Sequence, residues 1–166
     1  MKEELEQNKQ KKPIGLFGKM IIIGLAGGII WSALAVVLHY FNFAEVAPKT
    51  FLLRPWLQTE WTDNWEGHLL SIFLSGIISL IPAIIYYSLL KKINSMWVGV
   101  GYGIVLWGLL FLLLQPLLPL TVPITELSAD TIVTTLCIFI LYGTFIGYSI
   151  SYDYHDMEIR KSRQKA

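Results

Sequence analysis

The chain has 166 residues, 54% of them hydrophobic and 15% charged, with a formal net charge of +1 at pH 7. Soluble domains carry about 25% charged residues, so this composition excludes an ordinary soluble protein. The basic residues form no dense patch beyond what membrane orientation explains, and we expect no nucleic-acid partner. The only cysteine, Cys137, excludes an internal disulfide.

Four long apolar segments predict an all-α integral membrane protein whose four transmembrane helices form a bundle within residues 20–152. None of these segments contains Asp, Glu, Lys or Arg. Each is long enough, at about 1.5 Å per helical residue, to cross the hydrocarbon core of a bilayer. We predict the helices at residues 20–41, 67–90, 96–118 and 131–152.

The first segment also fits a second interpretation. A basic tail, an apolar run and the small residues Ala33-Leu34-Ala35 are typical of a signal peptide with its cleavage site. However, the apolar run continues past that site to Leu38, and the tail before it is long and contains three acidic residues. We therefore favour a membrane span.

The connections predict two tails and a surface loop. Residues 1–19 form an N-terminal tail rich in lysine, and residues 153–166 form a charged C-terminal tail. Residues 42–66 contain three tryptophans, which favour the head-group zone, so we expect this loop to lie on the bilayer surface. One short helix is predicted within it, around Arg54–Thr59. Residues 91–95 form a tight link between the second and third helices.

Two local signals refine the helices. Pro82 lacks the N–H that would bond the carbonyl of Ile78, so we expect a kink in the second helix. Ser128 and Asp130 both have side-chain oxygens suited to cap the start of the fourth helix.

The distribution of cations predicts the orientation. Eleven of the 13 Lys and Arg residues lie in the two tails and in the 91–95 link, which share one side of the membrane if there are four spans. Because cytoplasmic segments carry an excess of Lys and Arg, we predict that both termini are cytoplasmic.

Small residues four apart recur on every predicted helix. They allow helix backbones to approach closely, which favours association where lipid removes the hydrophobic drive. We interpret them chiefly as packing positions within the bundle, and the alternative is a surface for a second copy or a partner. The predicted packing residues are Gly24, Gly28, Ser71, Ser75, Ser79, Gly99, Gly103, Gly143 and Gly147.

The absence of Asp, Glu, Lys and Arg from the four predicted helices excludes several activities. Ion-coupled transporters and proton relays need ionisable side chains at membrane depth, and the four helices contain no Asp, Glu, Lys or Arg. A small proton-coupled multidrug exporter therefore fits in length but lacks its buried glutamate. An interfacial hydrolase would need a pair such as Ser71 with His68, one helical turn apart, but a serine on a small-residue stripe is more often a packing residue.

The predicted outer face collects carboxylates and imidazoles, which are groups that bind divalent metals. Asp63, Glu66 and His68 have no recognised ligand spacing and could equally belong to a solvated loop, so we predict no metal site and no cofactor. The residues collected on this face are His39, Glu45, Glu60, Asp63, Glu66, His68, Glu126 and Asp130.

Several strings of the chain resemble a known family. The longest is LYGTFIGYSISY at residues 141–152, and shorter ones are YFNFAEVAP at 40–48, GVGYG at 99–103 and TEL at 125–127. Together they resemble the YqhR family of conserved membrane proteins from Bacillus-type bacteria. The family has no established activity, so the resemblance implies no catalytic or binding residue. It implies a multi-pass protein of the plasma membrane of a Gram-positive cell.

The sequence as a whole favours a non-enzymatic membrane protein. Its abundant packing faces predict that it acts by association with a second copy or with a membrane or envelope assembly, and its only certain partner is the lipid bilayer. The alternative is a passive channel or a transporter for lipids or small molecules, formed by an oligomer. That reading needs a polar path, for which the candidates are Ser71, Ser75, Ser79, Thr134 and Thr135.

Overall fold

The computed structural model describes residues 15–57, 59, 62, 64–93, 95–118, 121 and 123–165, and every regular element among them is helical. The 3-10 turn at Ile124–Glu126 precedes the last helix. The α-helices are α1 (Leu16–Tyr40), α2 (Pro48–Leu52), α3 (Trp65–Ile78), α4 (Leu80–Leu89), α5 (Met96–Gly108) and α6 (Ala129–Lys165).

Four stretches are long and apolar enough to cross a membrane, as the sequence predicts. At most 33% of the residues in the apolar part of each are buried inside the protein, so most of their side chains are at least partly exposed, where acyl chains would cover them. We call them the first to fourth spans: Leu16–Tyr40, Trp65–Leu89, Met96–Leu117 and Ala129–Arg160.

The second span is interrupted near its proline. α3 ends at Ile78 and α4 begins at Leu80, with Ser79 in a turn conformation between them. Because the ring of Pro82 removes one backbone donor and crowds the turn before it, the break falls three residues ahead of the proline. The kink predicted from the sequence therefore appears as a break at Ser79.

The third span changes its helical form towards its end. α5 gives way to a π-helical segment, Leu109–Leu114, and then to a 3-10 turn, Gln115–Leu117. Pro116 has no N–H for the carbonyl four residues earlier, which accounts for the loss of regular α-helical bonding here. The wider π turn turns Phe111 inward, where it is buried.

The fourth helix is longer than the sequence analysis predicts. It continues beyond Tyr152 to Lys165, through a segment predicted as a charged tail. No Gly or Pro follows Gly147, and the residues at the end of the chain favour helix. An ion pair between Asp156 and Arg160, four residues apart at 2.9 Å, adds to this preference.

The short helix of the loop does not lie where the sequence predicts it. Residues 54–56 form a turn, and Pro55 is unfavourable inside a helix. The helix is instead α2, which begins at Pro48, where a proline is tolerated because the first helical N–H has no partner. The hydroxyl of Thr50 accepts the N–H of Ala47 at 3.3 Å and closes this start.

The loop begins at the end of the first span and is tied to the start of the fourth. Asn42 ends α1 with a positive φ of 61°, a conformation that asparagine tolerates better than most residues. The N–H of Glu45 donates to the hydroxyl of Thr131 at 2.9 Å, which ties the loop to the first turn of α6. Ser128 caps that turn by accepting the N–H of Thr131 at 3.3 Å, as predicted.

The spans pack in the order second, first, fourth and third. α1 packs on α3, α4 and α6, and α5 packs along α6. We call the end of the bundle near Leu16 and Leu89 the terminal face, and the end near Tyr40 and α2 the loop face. An ion pair between Lys19 Nζ and Asp153 Oδ1 (2.6 Å) joins the first and fourth spans at the terminal face. The main core cluster consists of Met20, Ala83, Tyr86, Tyr102, Tyr142, Ile146 and Ile150.

Candidate functional site

The glycines of the third and fourth spans lie against each other. A β-carbon on Gly143 would lie 2.6 Å from the carbonyl oxygen of Gly99, and one on Gly99 would lie 2.8 Å from the Cα of Thr144. A β-carbon on Gly147 would also meet Gly99, at 2.9 Å from its Cα. These distances leave no room for a side chain, so the two backbones touch along this seam. Gly103 lies against the backbone of α6 in the same way.

The first and second spans approach as closely. A β-carbon on Gly24 would lie 3.0 Å from the Cβ of Ala83, and one on Gly28 would lie 2.5 Å from the Cβ of Ser79. The carbonyl of Ser75 is 2.6 Å from the same point on Gly28. The glycines that the sequence analysis names therefore all face another helix of the same bundle.

The serines of the predicted stripe bond to the backbone and to a neighbouring tyrosine. Ser71 Oγ donates to the carbonyl of His68 at 2.8 Å, so it bonds the backbone of His68 rather than its ring. Ser79 Oγ donates to the carbonyl of Gly24 at 2.6 Å. The hydroxyl of Tyr142 lies 2.7 Å from Ser79 Oγ and is left to donate to it. One bonded group thus joins the first, second and fourth spans.

A cavity of about 240 Å³ lies above this group, towards the loop face. All four spans and the loop contribute to its wall, and the π-helical segment supplies two of the residues. Its lining residues are Gly28, Trp31, Ser32, Ala35, Val46, Ala47, Pro48, Phe51, Leu52, Ser75, Ile78, Ser79, Pro82, Leu106, Leu110, Phe111, Thr135, Ile138, Phe139 and Tyr142.

The cavity wall is almost entirely apolar. Several of its hydroxyl groups bond to other partners: Ser32 donates to the carbonyl of Ile29 (3.2 Å), and Thr135 donates to the carbonyl of Thr131 (2.7 Å). The indole N–H of Trp107 in turn donates to Thr135 at 3.1 Å. Burying a polar group without a hydrogen bond is unfavourable, so this cavity suits hydrocarbon and disfavours water or an ion.

The cavity is partly open, and residues of the second and third spans are among its lining. Because these two spans are not neighbours in the packing order, we infer that the opening lies between them. Ile78, a lining residue of the second span, is 43% exposed. Nearer the terminal face the gap is closed by Tyr102, whose hydroxyl donates to the carbonyl of Pro82 at 2.7 Å. The rings of Tyr86 and Tyr102 also meet edge to face, 5.2 Å apart.

The comparisons with known proteins agree with the resemblance noted in the sequence. The family described as "Conserved membrane protein YqhR" matches residues 1–165. The chain belongs to the YqhR family. A protein of Bacillus subtilis (strain 168), named "Uncharacterized protein YqhR", is 42% identical over 159 residues, which cover 96% of this chain and 88% of the relative. No solved structure matches the chain.

Several of the residues that carry the YqhR resemblance are helix contacts in this structure. Tyr142 bonds to Ser79, and Gly143 touches the backbone of the third span. Ser151 Oγ donates to the carbonyl of Ile93 at 3.1 Å, which fixes the link between the second and third spans to α6. These three residues of the longest string therefore help to assemble the bundle.

The sequence does not predict the cavity of this YqhR-family protein. Of the predicted packing residues, only Gly28, Ser75 and Ser79 line it, and of the other polar-path candidates only Thr135 does. Its aromatic residues are indistinguishable in sequence from ordinary core positions. One residue gives a signal in the sequence: Pro82, which predicts a distortion of the second span, is itself a lining residue.

Among the described lining residues, Trp31 carries a buried indole N–H that has no hydrogen-bond acceptor. Such an unpaired donor destabilises a folded protein by about 1–3 kcal/mol. It lies within the first span, on the helix face that also carries Ala35. Gly28 and Ala35 are small, so the ring of Trp31 is the largest group that α1 contributes to the wall.

Proposed function

We propose that this protein is a non-enzymatic membrane protein that binds a hydrocarbon chain from the surrounding bilayer. The observation that carries the proposal is the partly open apolar cavity, which is lined in part by the second and third spans. Since these spans are not neighbours in the packing order, we infer that it opens sideways between them. The medium outside that opening is lipid acyl chain if the four spans cross a bilayer. A lipid chain can therefore enter without passing through water.

The size of the cavity supports this occupant. A cavity of about 150 Å³ lined by apolar side chains stays dry and accepts benzene. At about 240 Å³ the present cavity is larger and equally apolar. It holds a longer stretch of hydrocarbon than a single small ring, and an empty volume of this size would leave its wall without van der Waals partners.

The polar path that a passive channel needs has less support. Of its candidate residues, Ser71 and Ser79 donate to backbone carbonyls, and Thr135 does the same within α6. Hydroxyls engaged in this way do not replace the hydration shell of an ion. We therefore favour binding of hydrocarbon over conduction.

Association with a second copy or with another membrane protein stays a prediction. Its basis in the sequence was the set of small-residue faces, and those faces lie between helices of one chain. Gly101 is different, because nothing lies within 4 Å of a β-carbon placed there. One such position does not make a partner surface.

We also propose that both termini lie in the cytoplasm and that the membrane is the plasma membrane. The excess of Lys and Arg in the tails and the 91–95 link supports this orientation. In cells that carry Cys137→Ser, a membrane-impermeant maleimide should label Phe43→Cys at the loop face directly. It should label Ser162→Cys only after the membrane is opened. The reverse pattern would overturn the orientation.

The binding proposal is tested with a phospholipid that carries a photoactivatable diazirine in the middle of one acyl chain. After illumination in proteoliposomes, we expect adducts on peptides that contain the buried lining residues Ile138 and Thr135. Ala35→Phe fills the cavity and should reduce these adducts several-fold. Adducts on Leu141, which is 48% exposed on the same helix, serve as the internal standard and should not change.

Val37→Phe is the matched control, because it adds an aromatic ring on the exposed side of α1. It should leave all adducts at the level of the unmodified protein. Leu106→Trp, which obstructs the cavity from the third span, is a second filling variant in case Ala35→Phe fails to fold. The proposal would be refuted if the unmodified protein formed no adducts on Ile138 and Thr135. It would also be refuted if both filling variants formed as many of these adducts as the unmodified protein.

A further inference from the structure

Two histidines from different spans meet at the loop face. His39 lies in the last turn of α1, and His68 lies in the first turns of α3. Their ring centroids are 5.9 Å apart, with an angle of 43° between the ring planes. The sequence separates these residues by more than a whole loop, so only the pairing of the first and second spans brings them together.

One nitrogen of His39 is already fixed. Its Nδ1 lies 2.7 Å from the carbonyl oxygen of Ala44, and a carbonyl can only accept, so Nδ1 carries the proton. In a neutral ring Nε2 is then a free lone pair. Metal-binding histidines characteristically use their second nitrogen in this way, donating it to a backbone carbonyl or carboxylate that orients the ring.

His68 offers a nitrogen that nothing in the described part of the chain satisfies. Its Nδ1 is buried and has no hydrogen-bond partner there. The hydroxyl of Ser71, one turn further along, is bonded to the backbone carbonyl of His68 and not to this nitrogen. A buried nitrogen without a hydrogen-bond partner calls for an explanation, and a metal ion bound to it would supply one.

We propose that His39 and His68 together bind one divalent transition-metal ion of the imidazole-preferring class, such as Zn²⁺, Ni²⁺ or Cu²⁺. A zinc ion lies about 2.0–2.1 Å from each coordinating nitrogen, which sets the centroids of two rings on one ion roughly 5–6.5 Å apart. The observed 5.9 Å falls in this range. No cluster of three or more His, Cys, Asp or Glu side chains forms among the described residues, so the chain supplies a pair and water completes the coordination.

The metal would act as a clamp between the first and second spans. Lys49 of α2 lies close enough to His68 for their charges to interact, and it has a further interaction of its own. Its positive charge opposes a second cation and lowers the affinity below that of a site with carboxylate neighbours. The proposal does not depend on the hydrocarbon cavity, so either one can fail while the other stands.

The test uses the full chain in detergent, without a histidine tag, and titrates it with zinc chloride in a calorimeter. We expect one zinc ion per chain, a rise in melting temperature on zinc addition, and no binding of magnesium. His39→Asn can still donate to the carbonyl of Ala44 but supplies no imidazole. It should weaken zinc binding at least tenfold, as should His68→Ala.

His155 provides the matched control, because it is the third histidine of the chain and lies at the opposite end of the bundle, bonded to the carbonyl of Ser151. His155→Ala should bind zinc as the unmodified protein does. If zinc does not bind at all, or if it binds equally well after His39→Asn and His68→Ala, the site does not exist. Melting of both variants without zinc shows whether they fold, and a variant that does not fold is replaced by His39→Gln or His68→Gln.

Discussion

Gly143 and Gly101 are glycines in neighbouring spans, but they differ in the space around them. A β-carbon on Gly143 would run into the backbone of the third span, whereas one on Gly101 would meet nothing within 4 Å. Small residues at helix crossings in membranes act by letting backbones touch. A side chain at Gly143 must therefore separate two helices, and a side chain at Gly101 need not move anything.

Replacing each of these glycines by alanine separates packing from helix propensity. Gly143→Ala should lower the free energy of unfolding by about 1–3 kcal/mol, the usual effect of overpacking. Gly101→Ala should leave it unchanged or raise it, because alanine restricts the unfolded chain more than glycine does. Unfolding in mixed micelles measures both free energies. A Gly143→Ala variant as stable as Gly101→Ala would contradict the close approach of the third and fourth spans.

Gly147 also lies against the third span, so a larger side chain there must push the two helices apart. Gly147→Leu should therefore melt at a lower temperature in detergent than the unmodified protein.

The bond between Ser79 and Tyr142 links the break in the second span to the fourth span. Interhelical hydrogen bonds in membrane proteins contribute about 0.6 kcal/mol on average and up to about 1.7 kcal/mol. A double-mutant cycle with Ser79→Ala and Tyr142→Phe should give an interaction energy in this range, measured from unfolding free energies. A value of zero would show that the two hydroxyls do not bond in the membrane.

At the scale of elements, the sequence predicts the features that depend on hydrophobic periodicity and on the length of apolar segments. The four spans are predicted close to their observed positions because an uncharged apolar stretch of this length has few alternatives. The break near Pro82 and the cap at Ser128 are predicted because each depends on one side chain and its nearest turn. The position of α2 was missed because Pro48 and Pro55 give competing signals within one loop.

At the end of the fourth helix, the charged residues led to the wrong prediction of a tail. A run of charged residues reads as a tail, but charge alone does not end a helix, and the sequence after Gly147 contains no residue that would. The helix therefore leaves the apolar zone without a break. Along it, Asp153 pairs with Lys19 and Asp156 pairs with Arg160.

Hydrogen exchange tests this extension. Backbone amides of residues 154–160 should exchange much more slowly than those of an unstructured peptide, because each is bonded within α6. Asp153→Asn should speed their exchange by removing the ion pair to Lys19, whereas Ser162→Ala, near the exposed end, should not. Exchange at the unstructured rate in the unmodified protein would show that the helix ends at the membrane surface.

At the scale of the whole molecule, the sequence indicates which faces are small but not which helices share them. The cavity lies among all four spans and the loop, on the loop-face side of the hydrogen bond from Tyr102 to Pro82. The histidine pair arises because the ends of α1 and α3 lie side by side. Both features depend on helix register and on the order of packing, and neither of these is encoded in the periodicity of a single segment.

The most direct test of the account uses Ile138, which lines the cavity and is only 8% exposed. With isoleucine methyl groups labelled and the protein in lipid nanodiscs, the account predicts nuclear Overhauser contacts between the methyl of Ile138 and lipid chain methylenes. Ala35→Phe should remove these contacts. Ile104, 46% exposed to lipid on the third span, should keep its own in both proteins. Two results would contradict the account. One is a methyl of Ile138 that contacts water. The other is a methyl of Ile138 without lipid contacts while the methyl of Ile104 shows lipid contacts.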